Sequence, residues 1–432
     1  MSGHDSYAPE SGDPSFDVEA YDLTIDYRVR TNRLEGRAVI NAVAATAISA
    51  VSIDLVGLRA TKVRVDGDRR TRFSQGPRKL RVTLPHRLAA GERFSIDVAY
   101  AGAPAPRRSR WGTIGWEELE DGVLVASQPT GAPTWFPCND RPDDRATMRI
   151  AVTTDAGYLP VPTGRPVGRT TAGGRTTVTA ETTVPVATYL AAVHIGAYEE
   201  KPLRGDDRVR IFAPATLRRE VADAFAPVPA MLALFERTFG PYPQEDCALV
   251  VTPDDLEIPL ESQGMAVFGA NHLVPEEQRL IAHELSHQWF GNSVGLARWS
   301  DIWLNEGFAC YAEWLWSEAS GGPSVAQKAA KHHARLRDLP QDLVLGDPGP
   351  DLMFDDRVYK RGALTLYALR CTVGDDTFAQ ILSGWVQSHR HELVTGAEFR
   401  AFAAEVSGRD LGDLFAQWLD APALPGLPAP RR

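Results

Sequence analysis

Cysteine is scarce in this 432-residue chain: four, at positions 138, 247, 310 and 371, with no Cys-x-x-Cys pair. Such scattering offers no disulfide framework and points to a reducing compartment. Long apolar runs are missing too. No stretch of about 18 apolar residues exists, so no membrane-spanning helix is expected. The opening Met1-Ser2-Gly3-His4-Asp5 is polar and lacks the basic and apolar regions of a signal peptide, which makes the cytoplasm the expected location. Nor is there a basic excess. A formal net charge of −10 argues against nucleic acid as a main partner. What is left is a soluble chain long enough for roughly two or three domains and a large buried core.

What the chain does have is concentrated in residues 279–308. His283-Glu284-Leu285-Ser286-His287 sets two imidazoles four apart on one helix face, where both can reach one ion. Glu284 is turned slightly off that face, beside the place a water would take. Acidic Pro275-Glu276-Glu277 suits a helix start and Gly291-Asn292 a helix stop. After eighteen intervening residues, His287 is followed by Glu306, inside Trp303-Leu304-Asn305-Glu306-Gly307-Phe308-Ala309. A carboxylate among so many apolar residues is costly to bury without a cation. Two histidines and a glutamate with a fourth position open form a catalytic zinc pattern, because structural sites close all four. His283, His287 and Glu306 are therefore the expected ligands of one zinc ion per chain, with Glu284 as general base. Asn305 and Glu313 are candidates to orient those ligands, Glu313 lying two helical turns beyond Glu306. His332-His333 and His389-Arg390-His391-Glu392 read as solvated helix surface.

With these residues in place, the chain resembles the aminopeptidase N-like zinc peptidases, a family that includes leukotriene-hydrolase relatives. The wording around Glu306 matches the family's zinc signature. Tyr359-Lys360-Arg361-Gly362 is similar to its Tyr-x-Lys/Arg-Gly motif, whose tyrosine stabilises the tetrahedral intermediate. Gln128, eight residues before Phe136-Pro137-Cys138-Asn139-Asp140-Arg141-Pro142, resembles the family's Gln/Glu followed by Phe-Pro-Cys-x-Asp-x-Pro. Tyr21-Asp22-Leu23 and Ile53-Asp54-Leu55 look like the opening of its β domain, so the resemblance spans residues 20–420. It implies a zinc aminopeptidase acting on peptides with a free amino terminus, with Tyr359 as the oxyanion donor. It also implies that Glu261 holds the substrate amine and that Gln128 adds a neutral acceptor; Met265 and Trp135 are, separately, candidate pocket residues. The chain departs from the family at Ile258-Pro259-Leu260-Glu261-Ser262-Gln263, where Gly-x-Met-Glu-Asn is usual. Glu261 is kept, 22 residues before His283, but Pro259 has no N–H to offer a substrate strand. Two other readings stay open: a zinc hydrolase of another amide or of an epoxide, and a non-catalytic scaffold. Retention of every ligand, of Glu284 and of Tyr359 weighs against the scaffold.

The expected fold class is α+β. Residues 1–16 read as a flexible tail and 17–203 as an all-β domain, from runs such as 37–43, 62–67 and 94–100. Residues 204–420 read as a mainly helical, thermolysin-like zinc peptidase domain, and 421–432 as a Pro-rich tail. That leaves no room for the helical C-terminal domain of larger family members. A short form is expected, its cleft either more open or closed by a second subunit in a homodimer.

Overall fold

The computed structural model describes residues 3–429; Met1 and Ser2 of the expected leading tail and Pro430–Arg432 of the trailing one lie outside the described residues. The chain separates into two compact units, Met1–Leu203 with Asp207–Arg218 and Glu245–Asn271, and Arg204–Asp206 with Arg219–Gln244 and His272–Arg432.

The first unit is built of sheets. Its largest runs, in spatial order, Arg165–Ala172, Arg175–Glu181, Arg145–Asp155, Phe16–Arg28, Arg33–Ala44, Arg93–Gly102 and Arg59–Val65, with Val186–Ala187 on the end of Arg145–Asp155. The runs expected at 37–43 and 94–100 lie in two of these strands, and the run at 62–67 starts in Arg59–Val65 and ends in the turn after it. Period-two patterning drives the packing. Along Phe16–Arg28 the buried set begins on even numbers, Phe16 and Val18, then moves to odd ones, Tyr21, Leu23, Ile25 and Tyr27. A bulge between Val18 and Ala20 accounts for the change of parity. A second sheet joins Tyr198–Leu203, Asp206–Pro214, Cys247–Thr252, Met265–Gly269 and Leu260–Ser262. Cys247–Thr252 is buried at every residue and pairs in parallel on both sides, as a central strand must. Phe212, Val250, Met265 and Val267 from this sheet share one apolar cluster with Leu124, Val161 and Val178.

The segment from Asp5 to Ser15, expected to be mobile, is instead a pinned strap. Tyr7, Ala8 and Ser11 are buried. The Gly12 N–H donates to Asp54 Oδ2 at 2.8 Å, the Asp13 N–H to Asn139 Oδ1 at 2.7 Å, and Lys79 Nζ to the Gly12 carbonyl at 2.8 Å. Gly12 has φ 68°, and a Cβ there would stand 2.1 Å from Arg141 Cγ, so only glycine fits. Polar composition suggested a tail because the partners are far away in sequence.

The second unit is helical: α1 Arg218–Phe225, α2 Val228–Phe239, α3 Gln278–Ser286, α4 Trp303–Ala319, α5 Val325–Arg337, α6 Asp356–Val373, α7 Asp375–Ser388 and α8 Gly396–Ser407. Capping boxes start α5 (Ser324 with Gln327) and α8 (Thr395 with Glu398), and the Asp355 side chain caps α6. α1 and α2 are separated at Pro227, which opens α2. α4 and α6 cross at Gly307 and Gly362, where a Cβ on Gly362 would lie 2.6 Å from the Gly307 Cα. The Arg361 guanidinium, buried in α6, donates to the carbonyls of Leu343, Gln417, Trp418 and Ala421 through Ala423. The histidines expected on solvated surface are partly covered: His332 stacks on Trp314 at 5.4 Å, His333 Nε2 meets the Pro425 carbonyl at 2.7 Å, and His389 packs on Trp385 at 4.1 Å. Among the described residues, no helix is long and apolar enough to cross a membrane.

Candidate metal centre and active site

Three elements of the second unit converge. α3 carries His283 and Glu284, with His287 capping its end; α4 carries Glu306; α6 carries Tyr359 in its first turn. Directly after α3 the chain turns back through Gly291 at φ 107°, where a side chain would press within 3.0 Å of Asn305 Nδ2. His283, Glu284, His287 and Glu306 are all buried.

The donor atoms fit a tetrahedral cation. Glu306 Oε2 lies 3.4 Å from His283 Nε2 and 3.5 Å from His287 Nε2, and the three ligand atoms fall within 4.8 Å of one another. Zinc bonds of the usual length, spread tetrahedrally, hold their donors about 3.3 Å apart. The far side of each ring is occupied. His283 Nδ1 is 2.8 Å from Glu313 Oε1, and His287 Nδ1 is 3.0 Å from the Phe290 carbonyl. Both partners are acceptors, so each Nδ1 carries a hydrogen and each Nε2 faces the common point, the place a metal would take once the His283 Nε2 proton is given up. Of the two candidates to orient the ligands, Glu313 is the one that touches a ligand ring, His283. Among the described residues Asn305 Oδ1 is buried without a hydrogen-bond partner, and its amide lies close to Gly291.

The electrostatics are those of a cation site. Burial pushes the His283 pKa down, but hydrogen bonds to Glu306 and Glu313 outweigh it and lift it to about 10. Burial pushes Glu306 up, yet His287 and His283 hold it at about 2. Glu313 is likewise raised by burial and pulled to about 2, by Lys360 first and then by His283. The pair of carboxylates is held ionised, and a metal entering here displaces the His283 proton.

Tyr359 is half-buried, its ring stacked on that of His283 at 6.0 Å between centroids and 23° between planes. Glu261 and Gln128 belong to the first unit. Glu261 is half-buried on the strand Leu260–Ser262, opposite Ala266. Gln128 is half-buried too, and its Nε2 is enclosed without a hydrogen-bond partner among the described residues. Met265 and Trp135, considered as pocket residues, are interior to the first unit: Met265 sits in the apolar cluster and Trp135 packs on Phe136 at 4.3 Å. Two features had no signal in the sequence. One is the Phe290 carbonyl on His287, since a backbone acceptor has no residue identity. The other is Lys360, whose acidic neighbour Asp356 four residues earlier looks like an ordinary surface pair.

Two family models match, the peptidase M1 N-terminal domain over residues 17–190 and the peptidase family M1 domain over 224–418. The chain belongs to the peptidase M1 family. Among curated relatives, this M1 chain is 25% identical over 437 residues to a leucyl aminopeptidase of Saccharolobus solfataricus, covering 94% of itself and 54% of the relative. It is 27% identical over 410 residues to human endoplasmic reticulum aminopeptidase 1, covering 86% of itself and 44% of the relative. The chain therefore spans about half the length of these curated relatives. It is 32% identical to an M1 zinc metallopeptidase variant from Deinococcus radiodurans solved with Tyr-Ser-Ala, with a TM-score of 0.91 and 100% of both chains covered. Yeast LTA4 hydrolase, 18% identical, has the same fold at a TM-score of 0.80 over 96% of this chain and 69% of its own.

Proposed function

We propose that this M1 chain is a zinc aminopeptidase that hydrolyses the first peptide bond of peptides with a free amino terminus. The observation that carries the reading is the triangle of His283 Nε2, His287 Nε2 and Glu306 Oε2, with Glu284 on the same helix. One zinc ion held there supplies a Lewis acid that acidifies a water and polarises the scissile carbonyl. Glu284 takes the water's proton and returns it to the leaving nitrogen. Tyr359 donates its phenolic hydrogen to the developing oxyanion. Glu261 pairs with the substrate's α-ammonium and Gln128 adds a neutral acceptor. An internal peptide bond brings no cation and would leave Glu261 desolvated without a counter-charge.

Several findings support this. M1 zinc metallopeptidases of the same fold have been solved with Tyr-Ser-Ala, L-arginine and L-tryptophan, and the curated relatives are aminopeptidases. The family matches agree with a division into a β domain over 17–203 and a catalytic domain over 204–420. Among the described residues all four cysteines are buried and none forms a disulfide, in keeping with a cytoplasmic enzyme. A homodimer belongs to the same proposal, and sedimentation of the intact protein tests it.

The deciding experiment compares turnover of a free-amine peptide and its acetylated twin by wild type and Glu284→Gln, with zinc content measured in both. Cleavage of the free peptide alone, lost in the variant, is expected. Equal cleavage of both peptides would remove the amine anchor and indicate an endopeptidase. Zinc-loaded protein that cleaves neither would revive the scaffold or a non-peptide substrate.

A further inference from the structure

Lys360, next to Tyr359, stands where neither apolar packing nor surface solvation explains it. Its side chain is buried, 8% exposed, between α6 and α4. The ammonium lies 3.3 Å from Cys310 Sγ, 3.9 Å from Glu313 Oε1 and 3.9 Å from Asp356 Oδ1. Among the described residues no carboxylate oxygen comes within hydrogen-bonding reach of it, and its closest partner is a thiol. An apolar side chain of similar volume would fill this space without the cost of burying a charge. Glu306, Cys310 and Glu313 recur along α4 at helical spacing, so the zinc ligand, the thiol and the carboxylate share a face. Lys360 meets that face one residue after Tyr359.

Glu313 is held from two sides. Its Oε1 faces His283 Nδ1 at 2.8 Å and Lys360 at 3.9 Å, while its Oε2 lies 3.7 Å from Arg279. Arg279 is 47% exposed, so its pull is toward solvent and away from the ring. A carboxylate freed from the inner cation can turn to the outer one, and its bond to His283 is then lost. We propose that Lys360 is a positioning residue for the metal site: its buried ammonium keeps Glu313 turned onto His283, and it ties the helix carrying Tyr359 to the helix carrying Glu306. The proposal rests on the zinc reading above.

The test measures zinc affinity by chelator competition, with thermal stability alongside, for wild type, Lys360→Met, Glu313→Gln and the double variant. Lys360→Met is expected to bind zinc about tenfold more weakly, the lower end of what loss of a ligand's supporting partner costs. In the Glu313→Gln background the same change should alter affinity by less than about twofold, because Lys360 acts through Glu313. Lys360→Arg, which keeps the charge, should stay within about threefold of wild type, a rescue no volume-filling role would give. Wild-type protein that binds no zinc would sink the functional reading itself. Zinc-binding wild type with an equally tight Lys360→Met would overturn the positioning role alone, as would a full tenfold loss persisting without Glu313. Should Lys360→Met not fold, Lys360→Gln carries the same comparison.

Discussion

At the scale of single residues, Tyr359 and His283 make separable demands. Tyr359 stacks on His283 through its ring and, in the proposed reaction, offers its hydroxyl to the substrate, so Tyr359→Phe keeps the first and removes the second. Loss of one oxyanion donor costs a factor of about 10²–10³ in kcat. That loss is expected in steady-state kinetics, with zinc content and KM little changed; a variant within threefold of wild type would deny the hydroxyl its role. His283 titrates at about 10 against an ordinary 6.5, so its ion pairs stabilise the metal-free protein fully below 6.5 and lose that contribution as pH rises through 10. Zinc requires the neutral ring. Its apparent affinity should climb about tenfold per pH unit across neutrality, with roughly one proton released per ion bound. Chelator competition at several pH values checks the slope, and a flat profile would show that His283 holds no proton to displace.

At the scale of elements, the crossing of α4 and α6 sets where Tyr359 stands relative to Glu306. Replacing Gly362 by alanine would drive a Cβ to 2.6 Å from the Gly307 Cα, and that atom is backbone that cannot rotate away. Alanine gains about 1 kcal/mol of helix propensity over glycine. Overpacking costs roughly 1–3 kcal/mol, so the clash wins. Gly362→Ala is expected to lower the midpoint of chemical denaturation and to reduce kcat as α6 shifts; a variant at least as stable as wild type would mean that the helices can part without cost. The elements also explain which parts were legible in the sequence. His283, His287 and Glu306 could be read because a helix converts a spacing of four into a shared face, and an apolar setting makes a carboxylate conspicuous. The strands of the first unit could be read from alternation, apart from the bulge at Val18–Ala20 that inverts it. The strap at Asp5–Ser15 could not, because Asp54, Lys79 and Asn139, which pin it, are specified only by the tertiary fold. Lys360 stayed hidden for the same reason: its decisive neighbours, Cys310 and Glu313, lie on another helix.

At the scale of the whole molecule, the two units are expected to answer pH in opposite senses. In the first, burial and the nearby Asp54 carboxylate lift Asp140 from 3.8 to about 7. Burial likewise lifts Asp144 from 3.8 to about 7, against the Val18 N–H and Arg141 that pull it down. Between those limits the folded unit holds protons that the unfolded chain has released, so its stability rises as pH falls through about 7. In the second unit the balance is reversed. Glu306 and Glu313 titrate at about 2 against an ordinary 4.5, so their contribution is complete above 4.5 and disappears as pH falls toward 2. Zinc is lost earlier still, as protons reclaim His283. Hydrogen exchange, corrected for its intrinsic rate, can follow both units of the zinc-loaded protein from about pH 8 to about pH 5. Protection in Arg145–Asp155 should strengthen over that interval while protection in α3 and α4 weakens through zinc loss alone, since Glu306 and Glu313 stay ionised throughout it. Parallel changes in both units would mean that the buried aspartates keep their charge, and that Lys79 and Arg141 compensate it more fully than their geometry suggests.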